Sequence, residues 1–150
     1  MGIVQPRSRL GGLACRGTLR WLMVVSLASA DILVNVGANV GYYRCHALGM
    51  RKRVIAFEPI QRNLRHLYRN VTVNDWTDIE IFPVALSDRA GVVKVYGGNT
   101  SASVIRGWAG TSEEYVTFAP SVEMDSIIGE RLRGKRVAVI VDAKGRSTWC

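Results

Sequence analysis

Asp31-Ile-Leu-Val-Asn-Val-Gly-Ala-Asn-Val-Gly41 and, a little further on, Ala56-Phe-Glu-Pro59 are the stretches whose reading decides the fold. Residues 32–36 form a short, nearly continuous apolar run, as expected of a parallel strand covered on both faces. The run stops at glycine. Gly37-Ala38-Asn39-Val40-Gly41 then leads into a predicted helix over 42–48, with Gly49 as its stop signal. Residues 53–57 read as a second strand. Glu58-Pro59 predicts the opening of a second helix, with proline at the first helical position, where its missing N–H is not needed. In that helix Ile60, Leu64, Leu67 and Val71 recur at helical spacing, which gives it one face to bury.

Outward from this unit, residues 79–84 predict a third strand whose pairing should stop near Pro83. Residues 91–96 and 115–118 predict the strands of an inserted hairpin, separated by a surface loop from Gly97 to Ser112. A short helix over 124–132 and a fourth core strand over 136–141, running into Asp142, complete the pattern. Strand and helix alternate, which argues for an α/β fold with a mostly parallel sheet and helices on both faces. Ligands in such folds bind beyond the carboxyl ends of the strands.

The chain has 150 residues, 48% hydrophobic and 21% charged, the size and balance of one globular domain. Its net charge is +8, and Arg7, Arg9, Arg16 and Arg20 place half of that in the first thirty residues, where there is no acid. No block of like charge and no aromatic-basic repeat follows, so a nucleic-acid partner is not expected. Cys15, Cys45 and Cys150 are odd in number and far apart, which suits neither a disulfide framework nor a zinc site. His46 and His66 have no catalytic partner at a suggestive spacing and read as packing or surface residues.

The chemistry lies in the glycine-rich turn and in Glu58. Glycine lets backbone approach a ligand closely, and the helix amino terminus behind it offers free N–H groups to an anion. That anion would be a pyrophosphate in a dinucleotide enzyme and a methionyl carboxylate in a methyl-donor enzyme. Glu58, 21 residues after Gly37, ends the second strand where an acid can accept hydrogen bonds from ribose hydroxyls. Residues 38–40 hold no middle glycine, which disfavours pyrophosphate and favours the methyl donor. The blander alternative for the turn is a tight strand-to-helix connection.

These residues resemble the FkbM family of methyltransferases: the segments Asp31 to Gly41 and Ala56-Phe-Glu-Pro59, Asn70 with Asn74, and Ala85-Leu-Ser-Asp88 occur in the family's order. The likeness covers about residues 31–145. It implies a Rossmann-like methyltransferase fold, S-adenosylmethionine as cofactor, and O-methylation of a hydroxyl on a sugar, lipid or secondary metabolite. Position by position it implies Gly37, Asn39 and Gly41 at the methionyl end, Glu58 at the ribose, and Ser87 with Asp88 at the adenine edge. Asp142 is the candidate catalytic residue near the acceptor.

The sequence also departs from the family. The family's fourth strand ends in Lys-x-Asp-x-Glu-Gly, whereas this chain reads Ile140-Val-Asp142-Ala-Lys144-Gly145, and Asn35 stands where aspartate is usual. A relative that binds the cofactor, or nothing, and transfers no methyl group is therefore the alternative, and an NAD(P)-dependent oxidoreductase is a further one. The family pattern continues beyond the position of Cys150, so the chain reads as its cofactor-binding part, truncated after the fourth core strand, with an open sheet edge as a route to self-association.

Residues 1–30 read as a basic and apolar leader. The run 21–30 ends in Ala28-Ser29-Ala30 and imitates a secretory signal, but it is too short to span a bilayer. A cytoplasmic location is expected, since the implied cofactor lies there. Asn70-Val-Thr72 and Asn99-Thr-Ser101 match a glycosylation pattern that matters only in a secreted chain.

Overall fold

The structure, a computed structural model, describes residues 27–97, 102–108 and 114–142. Residues 1–26, residues 98–101 and 109–112 of the predicted loop, and Lys144 with Gly145 lie outside the described residues. The elements run β1 (Ile32–Val36), α1 (Tyr42–Gly49), β2 (Arg53–Phe57), α2 (Gln61–Val73), β3 (Ile79–Phe82), β4 (Ala85–Leu86), β5 (Gly91–Tyr96), β6 (Val116–Val122), α3 (Met124–Leu132) and β7 (Val137–Val141).

Four strands form a sheet in the order β3-β2-β1-β7, and every neighbouring pair is parallel. All five residues of β1 are buried, which explains why its apolar run does not alternate. Leu33 faces a core made with Ala47 and Leu48 of α1 and Leu64 and Leu67 of α2. Ile32, Val34 and Val36 face the other way, onto Ile128, Met124 and Ile127 of α3. Helices thus cover both faces, as the alternating pattern predicts, in an arrangement compatible with a Rossmann-like fold. Ile128 is 1% exposed. Shortening it by one methylene, Ile128→Val, should lower stability by about 1 kcal/mol without altering the sheet, as read by urea unfolding and circular dichroism.

Leu27, at the end of the signal-like run, is fully buried in the core shared with α1 and α2. No helix among the described residues is long and apolar enough to cross a membrane.

A second, three-stranded sheet has the order β4-β6-β5, with β5 and β6 antiparallel and β4 and β6 parallel. The predicted hairpin is present, but its second strand runs on through Pro120 to Val122 instead of ending at Phe118. Proline is tolerated there because β4 pairs with β6 only at Ser121 and Val122, so at Pro120 the strand has a neighbour on one side alone. Ser103, in the segment predicted as surface loop, is buried and exchanges backbone hydrogen bonds with Tyr96. Ile60 packs with Val95 and Ala119, so the small sheet is anchored beside the carboxyl end of β2.

Two boundaries also differ from expectation. Pro59 does not open α2; the helix begins at Gln61, with Ile60 extended at φ −88 and ψ 116 as its N-cap. Glu58 Oε1 accepts the Ile60 N–H at 2.9 Å, which holds that residue in a strand-like conformation. Gly49 is the last residue of α1 rather than the stop beyond it, and Met50 caps the helix.

At the opposite end of the sheet, Asp31 accepts two side-chain hydrogen bonds and one backbone bond from Arg136, joining the starts of β1 and β7. The side-chain bond from Arg136, then its backbone bond, hold the Asp31 carboxyl well below the ordinary aspartate value of 3.8. A depressed pKa stabilises the fold above the unfolded value and is lost as pH falls. Asp31→Asn should therefore lower Tm slightly near neutral pH, and the gap from wild type should narrow below pH 3.8, as read by thermal melts across that range.

Candidate functional site

The four parallel strands end side by side, and backbone hydrogen bonds join their carboxyl ends. Asp142 N–H donates to Val36 O at 2.9 Å, Gly37 and Ala38 N–H both donate to Phe57 O at 3.0 and 2.9 Å, and Glu58 N–H donates to Phe82 O at 3.1 Å. Chain order reverses at β1, with β2 on one side and β7 on the other, so the turn leaving β1 sits at the topological switch point.

Three residues in this turn adopt positive φ: Gly37 at 73, Asn39 at 51 and Gly41 at 105. Glycine and asparagine are the residues that tolerate such angles. Gly41 also has no room for a side chain, because a Cβ there would lie 1.9 Å from Arg44 Nη2.

Glu58 is 3% exposed and braces the turn. Its Oε2 accepts the Asn39 N–H at 2.6 Å, and its Oε1 accepts the Ile60 N–H at 2.9 Å and the Asn63 Nδ2–H at 3.2 Å. Charge-assisted bonds of this kind are the stronger ones. On the other side of the turn, Asn70 of α2 donates to Val40 O at 3.0 Å, and Asn74 in turn donates to Asn70 O at 2.7 Å. Asn70 therefore ties α2 to the turn, while the Asn74 side chain bonds back to its own helix end.

Arg44, on α1, is completely buried. Its Nη1 donates to Ala38 O at 3.1 Å, while Nε and Nη2 have no hydrogen-bond partner. Burial brings its pKa down to about 10, against the opposing pull of Cys45 and Glu58, and at neutral pH the guanidinium is still charged. Asn35, on the β1 face that meets α1 and α2, is likewise buried with neither amide atom partnered.

No family model matches the chain, and no curated protein matches it. Gly37, Asn39, Gly41 and Glu58 form one contiguous unit, and the backbone of Asp142 adjoins it, with the Asp142 side chain exposed. Ser87 N–H donates to Val122 O, and its hydroxyl donates to Asp88 Oδ1 at 3.0 Å; neither residue is hydrogen-bonded to the turn. Arg44 and Asn63 are not apparent from sequence. Neither belongs to the turn or to the strand end, and only the fold brings them there.

The residues fit an anionic ligand group, given the glycine turn at a helix amino terminus and the buried cation short of acceptors. A ribose fits under one condition. Glu58 has about four lone-pair positions, three of which are taken, so two hydroxyls would have to displace one existing donor.

The described residues contain no group of three or more His, Cys, Asp or Glu able to hold a metal. His66 is exposed, and His46 packs edge-on against Tyr42, in keeping with their packing and surface roles. A cavity of about 410 Å³ lies between the end of α1 and the start of β3, lined by Leu48, Arg51, Lys52, Asp75, Trp76 and Asp78 among others. It opens at the amino ends of β2 and β3, the wrong end of the sheet for the chemistry of the turn.

Proposed function

We propose that this domain binds S-adenosylmethionine and is the cofactor-binding part of a methyltransferase acting on a hydroxyl of a sugar, lipid or secondary metabolite. One observation carries the reading: the Gly37-to-Gly41 turn and the acid at the end of β2 touch, through the 2.6 Å bond from Asn39 N–H to Glu58 Oε2. The two segments are far apart in sequence and bear on the same nucleoside only if the fold brings them together. Backbone at Gly37, Asn39 and Gly41 would receive the amino-acid tail of the cofactor. Glu58 would take the ribose hydroxyls, with the Asn39 amide as the donor most easily exchanged.

When bound, the cofactor supplies a methyl group activated by its sulfonium. The protein contributes proximity and orientation. Asp142, at the carboxyl end of β7 beside the turn, would accept the proton of an acceptor hydroxyl brought within hydrogen-bond reach.

Titration calorimetry with S-adenosylhomocysteine and with NADH tests the reading. Binding of the first and none of the second is expected. Binding of NADH alone overturns it in favour of an oxidoreductase.

A specific observation favours a second reading. The Asp142 side chain is exposed and makes no hydrogen bond among the described residues, so nothing there orients it as a base. A domain that binds the cofactor without transferring a methyl group would look the same, and methyl transfer to a panel of hydroxyl compounds separates the two.

A further inference from the structure

Arg44 poses a problem of charge. It is buried completely, no carboxylate lies within ion-pair distance of it among the described residues, and only Nη1 has an acceptor. Its own helix makes matters worse. Arg44 lies in the first turn of α1, where the helix dipole is positive, and that turn contains no acid. Leaving a buried cation short of hydrogen bonds is costly, and folds that retain one usually complete it with a partner.

We propose that the missing partner is the carboxylate of the ligand's amino-acid tail, and that Arg44 is the residue that makes this site select a nucleoside carrying such a tail. The inference rests on the proposed nucleoside site and adds to it a residue and a specificity. The guanidinium lies against the last residue of the turn, since Nη2 is 1.9 Å from where a Gly41 Cβ would be. Nε and Nη2 are closed to solvent, so the carboxylate reaches them by a shift of the turn, and glycine at 41 leaves only backbone to move aside. The free Nε–H and Nη2–H pair is the edge of the planar fork that matches two carboxylate oxygens. Helix dipole and guanidinium then act on the same anion.

The test compares two ligands that differ only in the carboxylate, S-adenosylhomocysteine and S-adenosyl-3-thiopropylamine, by calorimetry on wild type and on Arg44→Met. Wild type should prefer the carboxylate by about 10- to 150-fold, the range for a lost charge-assisted hydrogen-bonded pair. Arg44→Met should bind S-adenosylhomocysteine only as well as wild type binds the amine, with amine affinity unchanged. Its Tm without ligand should not fall, because an uncompensated charge has been replaced by an apolar chain of similar length. If Arg44→Met does not fold, Arg44→Lys carries the comparison, and its preference for the carboxylate should shrink with the loss of the fork.

Equal wild-type affinity for both ligands overturns the inference while leaving the nucleoside site standing. A preference that survives in Arg44→Met, together with a lower Tm, overturns it in favour of a purely structural guanidinium. Binding of neither ligand to wild type removes both the inference and the function it rests on.

Discussion

Glu58→Ala is expected to lower the unfolding free energy by about 3–5 kcal/mol and to abolish measurable binding of S-adenosylhomocysteine. The size follows from what the carboxylate holds. The buried Glu58 side chain accepts from Asn39 N–H, Ile60 N–H and Asn63 Nδ2–H. Each buried donor left without a partner costs about 1–3 kcal/mol, and the relief of desolvating one carboxylate offsets part of the sum. Arg44 would also lose the nearest negative charge acting on it.

Glu58→Gln keeps an acceptor oxygen and should fall between wild type and alanine in stability, while binding ribose poorly. Urea unfolding followed by circular dichroism reads the first quantity, and calorimetry on the folded fraction reads the second. A loss of stability below about 1 kcal/mol would show that the turn does not depend on Glu58 for its shape. Unchanged affinity for the nucleoside would remove the ribose assignment and leave Glu58 as a brace alone.

The difference between what the sequence discloses and what it conceals follows from the range of the forces involved. β1, β2 and the span of α3 are legible because apolar runs and helical spacing are local. The site is legible as two pieces, Gly37 to Gly41 and Glu58, because positive φ demands particular residues and a lone acid at a strand end stands out. The bond between them is not visible in sequence. Neither is the extended Ile60, since Pro59 invites a helix and the Glu58 side chain folding back on the Ile60 amide is not legible from the residue types. Pro120 hides the length of β6 for a similar reason: its tolerance depends on how far β4 reaches, which is a tertiary fact. Arg44 is the extreme case. A cation three residues past a glycine turn reads as surface, and yet it is the largest fully buried side chain among the described residues.

Gly41→Ala is expected to cost about 2–4 kcal/mol and to weaken ligand binding at least in proportion. Two causes can produce this, and they can be separated. At φ 105 the backbone is outside the region that alanine tolerates well, which by itself costs about 1–3 kcal/mol. The added Cβ also meets Arg44 Nη2 at 1.9 Å, Cζ at 2.2 Å and Nε at 2.6 Å, so the whole guanidinium must leave its position. The far end of a flexible side chain moves easily on a surface, but Arg44 has no exposed space to enter and would break its bond to Ala38 O.

Gly134→Ala measures the strain alone, because Gly134 has φ 69 and nothing within 4 Å of a built Cβ. It should cost about 1 kcal/mol. Placing Gly41→Ala in an Arg44→Ala background then removes the clash and keeps the strain, and a double-mutant cycle by urea unfolding gives their coupling. A coupling of about 1 kcal/mol or more is expected, with the double variant less damaged than the two single costs added together. Strict additivity would place the whole cost in the backbone, and the guanidinium could then no longer be said to press against the turn that the ligand is proposed to occupy.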